Sequence, residues 1–101
     1  MAQLETVYEV PFTKYESRRG NQYDLEVVIE FEDDEELGLM ATFYAAVKGM
    51  DKEFFAYSFT KSSDEPDMED KEWMKHCIDL AKRDMESGEI DFSDIKKWLD
   101  R

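Results

Sequence analysis

From Tyr23 to Glu32 the side chains divide cleanly by parity. Tyr23, Leu25, Val27, Ile29 and Phe31 fall on one side, and Asp24, Glu26, Val28, Glu30 and Glu32 on the other. A period of two predicts a half-buried strand over residues 22–32. Residues 4–14 read as a second strand, with Leu4, Tyr8, Val10 and Phe12 on one face and Glu5, Val7 and Glu9 on the other. Pro11 has no amide to give to a ladder, so this strand is expected at a sheet edge, or bulged there. Between the two, "ESRRGN" (Glu16 to Asn21) carries the Gly and Asn of a turn, and a β-hairpin follows.

Residues 34–48 are less clear. "LMATFYAAVK" runs large-large-small-small, which on a helix gathers Leu37, Leu39, Met40, Phe43, Tyr44 and Val47 on one side. Acids in its first turn and Gly49 after it suit a helix, and that reading is favoured here. The competing reading is a third strand that turns at Gly49–Asp51 into a fourth. "EFFAYSFT" (53–60) predicts a strand and 61–67 a loop. A helix is expected from about Asp67 to Ser87, with Trp73, Met74, Cys77, Ile78, Ala81 and Met85 as its apolar stripe and Gly88 ending it. A last helix over roughly 92–100, capped by Asp91 or Ser93, turns Phe92, Ile95, Trp98 and Leu99 inward. The expected fold is therefore a single α+β domain: a small antiparallel β-sheet of three to four strands, with two to three helices packed on one face.

Charge changes this picture most. The 101 residues carry 26 acids against 13 bases, a net charge of −13, while 42% of them are hydrophobic. That apolar content supports a core, so the acidity does not signal disorder. The charge repels nucleic acid and anionic membranes, so neither is an expected partner. One cysteine excludes an internal disulfide. No basic-then-apolar leader and no stretch near 18 apolar residues is present, which predicts a cytoplasmic protein.

Little suggests catalysis. His76 and Cys77 are adjacent and point about 100° apart on a helix, so they form no dyad. Cys77 belongs to the apolar stripe and is expected as a buried, inert thiol; His76 is expected near the surface. No phosphate-loop, dinucleotide or nucleophile-elbow motif occurs. The acidic runs lack the alternating spacing and glycine of a calcium loop, and a lone His with a lone Cys make no structural zinc site. No enzyme, metal or cofactor is expected.

Twelve acids lie in two runs: Glu30, Glu32, Asp33, Asp34, Glu35 and Glu36, then Asp64, Glu65, Asp67, Glu69, Asp70 and Glu72. The second run matches the preference of a helix start for negative charge. The first continues back onto the strand, and no Lys or Arg is expected on that strand face or on its hairpin partner. Like charges side by side on paired strands destabilise a sheet, so their retention points to a use. The candidate partner-binding residues are Asp24, Glu26, Glu30, Glu32, Asp33, Asp34, Glu35 and Glu36. Val7, Val28, Met50 and Met68 fit no core stripe and are further surface candidates.

These residues predict a non-enzymatic inhibitor that offers an anionic face to a basic protein partner, such as a nucleic-acid-binding protein. In size and charge the chain resembles small acidic inhibitors carried by phages and mobile elements, such as anti-restriction and anti-CRISPR proteins. The resemblance is one of composition. It implies a protein that occupies a DNA- or RNA-binding groove. The alternatives are an immunity or antitoxin-like protein against a basic toxin, a small enzyme using two carboxylates, and a domain whose acidity serves only solubility.

Overall fold

The computed structural model describes residues 5–101, with Glu5 by its backbone alone. Leu4, expected on the core face, lies outside the described residues. Four strands form a meander in chain order, each pair antiparallel: β1 (Glu5–Glu16), β2 (Gln22–Asp34), β3 (Gly38–Val47) and β4 (Glu53–Thr60). Three helices follow: α1 (Lys61–Asp64), α2 (Asp70–Ser87) and α3 (Ser93–Asp100). This is the expected α+β class. No helix among the described residues is long and apolar enough to cross a membrane.

The alternation of β2 holds throughout. Leu25, Val27, Ile29 and Phe31 are all within 1% of complete burial. At about 3.4 Å per residue its thirteen residues span about 44 Å, which accounts for the 47 Å long axis of the molecule. The short axis is 17 Å, the depth of one sheet and one helix layer.

Residues 38–47 are a strand, which overturns the helix favoured for 34–48. The sheet gives the reason. Leu39, Ala41, Phe43, Ala45 and Val47 take the core side, while Met40, Thr42, Tyr44 and Ala46 take the other. Both faces are largely apolar, so the alternation is masked in the sequence. The chain reaches this strand through a tight turn. The Asp34 carboxylate accepts the amides of Glu36 (2.8 Å) and Leu37 (2.9 Å), and Gly38 takes φ 81°, a left-handed conformation that glycine adopts without strain. Those two bonds also hold the Asp34 carboxyl below its usual range.

Large and small residues alternate across the sheet. Ala41 lies between Phe31 and Phe59 in register, leaving a notch between two rings. Trp73 of α2 fills it, edge-on to Phe31 at 6.0 Å and to Phe59 at 5.8 Å, with no exposed surface. Its indole N–H donates to Asp64 at 2.8 Å. Trp73, Cys77, Ala81 and Met85 then repeat every four residues as the buried seam of α2. Asp84 is buried beside that seam, where the Tyr57 hydroxyl donates to it at 2.5 Å and ties β4 to α2.

The helix limits shift slightly. The expected loop at 61–67 contains the single turn α1, and α2 starts at Asp70 rather than Asp67. Asp91 accepts the amide (3.0 Å) and hydroxyl (2.7 Å) of Ser93 at the start of α3. Met68 packs against the core, not on an outer surface.

Two bulges matter for function. In β1, Pro11 pairs with Glu26 and Thr13 with Leu25, so Phe12 is the extra residue. It stacks on Phe92 at 5.2 Å. In β4, Tyr44 pairs with Phe55 and Phe43 with Tyr57, so Ala56 is the extra residue. Each bulge reverses which side chains face outward beyond it.

Candidate functional site

The helices all pack on the face that carries the apolar cluster, and the opposite sheet face stays uncovered. Rows of side chains cross this open face in register. One row reads Val7, Glu30, Thr42, Ser58; the next reads Glu9, Val28, Tyr44, Phe55; the next reads Pro11, Glu26, Ala46, Glu53. Glu32 and Met40 lie beyond the first row and Asp24 beyond the last. Glu30 and Glu32, two apart on one strand, repeat at about 6.8 Å, and neighbouring strands lie about 4.8 Å apart.

The expected site residues divide into two groups. Asp24, Glu26, Glu30 and Glu32 share the open face, as predicted. Asp33 does not: it has core-side parity at the end of β2, opposite Leu39. Asp34 is occupied in the turn, and Glu35 and Glu36 are exposed at the hairpin tip. The acidic run thus forms a face and a corner, not one surface.

Lys14 corrects the expectation that this face lacks cations. By simple alternation it would point to the core side. The bulge at Phe12 puts it opposite Asp24 on the open side, and Lys48 lies near the same end. Positive charge therefore gathers at the Asp24 end, and Glu30, Glu32 and Glu53 lie toward the rest of the face. The Tyr44 hydroxyl pKa is raised by burial first, then by the charges of Glu30, Glu53 and Glu32 and a hydrogen bond to Glu30. Glu30 on β2 and Glu53 on β4 thus lie diagonally beside this phenol, and Glu32 acts on it from farther along β2.

Glu26 behaves differently from its neighbours. It is only 4% exposed. Burial, then a hydrogen bond to the Glu9 carboxyl and the Glu9 charge, push its pKa from the usual 4.5 up to about 7. Near neutral pH the pair holds one proton for part of the time, so Glu26 is a weak contributor to the anionic field. The pair borders a depression of about 470 Å³ lined by residues that include Pro11, Phe12, Lys14 and Lys48.

Between pH 4.5 and 7 the folded state binds more protons here than the unfolded chain does. This contribution to stability therefore falls as pH rises through that window and is constant above it. Glu26→Gln, which keeps a donor for Glu9, should make the protein more stable at pH 8 by roughly 1–3 kcal/mol and change it little at pH 5. Urea unfolding of both proteins at the two pH values measures this. An equal difference at both would show that the charge of Glu26 is not the cause.

Sequence reasoning missed Glu53, Tyr44 and Phe55. "EFFAYSFT" has Phe54 and Phe55 side by side, so one ring had to leave the core, but the Ala56 bulge decides which. Val7 and Val28, flagged as outside the core stripes, do lie on the open face, and Met50 lies in the β3–β4 turn. Elsewhere, Cys77 is fully buried, and burial pushes its thiol up to about 12. His76 Nε2 lies 3.6 Å from Asp64 Oδ2 at the surface. Among the described residues no group of three or more His, Cys, Asp or Glu is placed to hold a metal ion. No family model, curated protein or solved structure matches the chain.

Proposed function

We propose that the protein is a non-enzymatic binding protein whose uncovered sheet face docks on a basic protein surface. The observation that carries this reading is that Glu30, Glu32 and Glu53 lie on the same side of the sheet as Tyr44, the face that no helix covers. Gathering like charges on one face costs a fold some self-repulsion, and a cationic partner reverses that cost. The most concrete form is an inhibitor that occupies the nucleic-acid-binding groove of its partner. Along β2 the carboxylates come in two pairs, Asp24 with Glu26 and Glu30 with Glu32, each about 6.8 Å apart, which offers separate anionic points to a groove built for phosphates.

The test is capture of the partner from host extract at low salt, followed by measured affinity against salt. Raising ionic strength from about 0.05 to 0.3 M shortens the screening length from about 14 to 6 Å. The complex should weaken by roughly tenfold or more, and nucleic acid should compete with it. An affinity that is flat with salt contradicts the reading. A toxin enzyme as partner selects the immunity-protein form of the same proposal.

A second reading has one observation in its favour. Glu9 and Glu26 share a hydrogen bond beside a depression, and a carboxyl pair with one raised pKa is what acid–base hydrolysis requires. The pair is in direct contact, however, without the gap that glycoside chemistry places between its two carboxyls. His76 and Cys77 lie on α2, across the sheet from it.

A further inference from the structure

Phe55 is the most exposed large apolar residue described, at 63%. By strict alternation with Tyr57 and Phe59 it belongs in the core. The bulge at Ala56 turns it, and Glu53 with it, onto the open face, while Phe54 packs inward instead. There it meets Tyr44 edge to face, with ring centroids 6.2 Å apart. With Phe54 and Phe55 adjacent, one ring must face away from the core, and the bulge makes Phe55 the one that stands on the open face beside Tyr44.

Its surroundings define what it suits. Glu53 is two residues away on the same strand, and Glu30 accepts the Tyr44 hydroxyl on the other side of the pair. The cation–ring contacts within the chain lie elsewhere. Lys52 covers Phe54 (4.9 Å) and Trp98 (6.0 Å), Lys96 covers Tyr15 (5.4 Å), and Arg101 covers Trp98 (4.9 Å). Among the described residues no cation of this chain sits over Phe55 or Tyr44.

We propose that the Tyr44–Phe55 pair, flanked by Glu30 and Glu53, seats an arginine side chain of the basic partner. This rests on the reading of the open face as the partner-binding surface. An aromatic face beside carboxylates suits a guanidinium for two reasons. Its plane stacks on a ring while its N–H groups fork to a carboxylate, and it is less tightly hydrated than an ammonium. A wholly apolar partner would take the flanking carboxylate charges out of water without neutralising them.

Labelled deca-arginine and deca-lysine peptides test this at low salt against the wild type and Phe55→Leu. Leucine keeps apolar bulk at an exposed site and removes only the ring, and circular dichroism checks the fold. The arginine peptide should bind Phe55→Leu about three- to fivefold more weakly than wild type, the lysine peptide should change by less than about twofold, and Phe55→Tyr should behave as wild type. An unchanged arginine peptide, or equal losses for both peptides, overturns the proposal. Failure of the underlying reading looks different: reversing Asp24, Glu30, Glu32 and Glu53 to Lys would leave both peptides bound.

Discussion

Replacing Trp73 by alanine is expected to destabilise the fold by about 3–5 kcal/mol, a large part of what a domain of this size has. Three effects add. The indole leaves a cavity over Ala41 that Phe31 and Phe59 line, and neither ring is free to fill it because each is fixed in a strand. The buried area itself is lost. Asp64 loses the indole donor that anchors the α1 turn to α2. Urea unfolding reports this as a lower midpoint with the slope unchanged. A cost below about 1 kcal/mol is far under the range for a buried Trp, and would show that Trp73 is not the centre of the core.

The place of Trp73 on the buried stripe of α2 was readable from the chain, because α2 has an unbroken four-residue repeat and β2 an unbroken two-residue one. Each of those elements turns a single face to the apolar core, so pattern and environment agree. β3 was not readable for the opposite reason. Its outer face carries Met40, Tyr44 and Ala46, so the polar half of the alternation is missing and a helical spacing fits equally well. An open sheet face that is partly apolar removes the very signal that would identify the strand.

Reversing Asp24, Glu30, Glu32 and Glu53 to Lys should abolish partner binding, by roughly a hundredfold or more, while the fold is retained. Each reversal changes the charge by two, so the net charge goes from −13 to −5. Asp24, Glu32 and Glu53 are exposed and Glu30 is half-buried at the surface, so no ammonium is forced into the core. A lysine at 24 would stand opposite Lys14, a like-charge pair that costs tenths of a kcal/mol and leaves the fold in place. Glu26 is left out of the set: it is buried against Glu9, and a lysine there would be a fault of folding, not of recognition. Loss of binding from lower net charge alone is separated by a control that reverses Glu72, Asp79, Glu86 and Glu89 instead. These are exposed on α2 or just after it, and the same net charge results.

The site was half legible for a reason visible at two residues. Counting alternate positions places Asp24, Glu26, Glu30 and Glu32 correctly, because β2 is regular along its whole length. The same counting fails for Lys14 and Phe55, because β1 and β4 each carry one extra residue, at Phe12 and Ala56. A single inserted residue exchanges inside and outside for everything beyond it. Pro11 hinted at the first bulge. Nothing local in "EFFAYSFT" marks the second, which is where the aromatic part of the face arises. Burial was also hidden: Glu26 and Glu30 each sit between apolar neighbours in the sequence, but Glu26 pairs with Pro11 and Ala46 and bonds Glu9, while Glu30 pairs with Val7 and Thr42.

The most direct test of the account is a parallel capture from host extract at low salt with three proteins: wild type, the face-reversed variant and the helix-side control. The account predicts that wild type and the helix-side control retain the same basic protein, that the face-reversed variant does not, and that circular dichroism is unchanged in all three. Retention by the face-reversed variant, or equal loss from both variants, would contradict the assignment of the open sheet face as the binding surface.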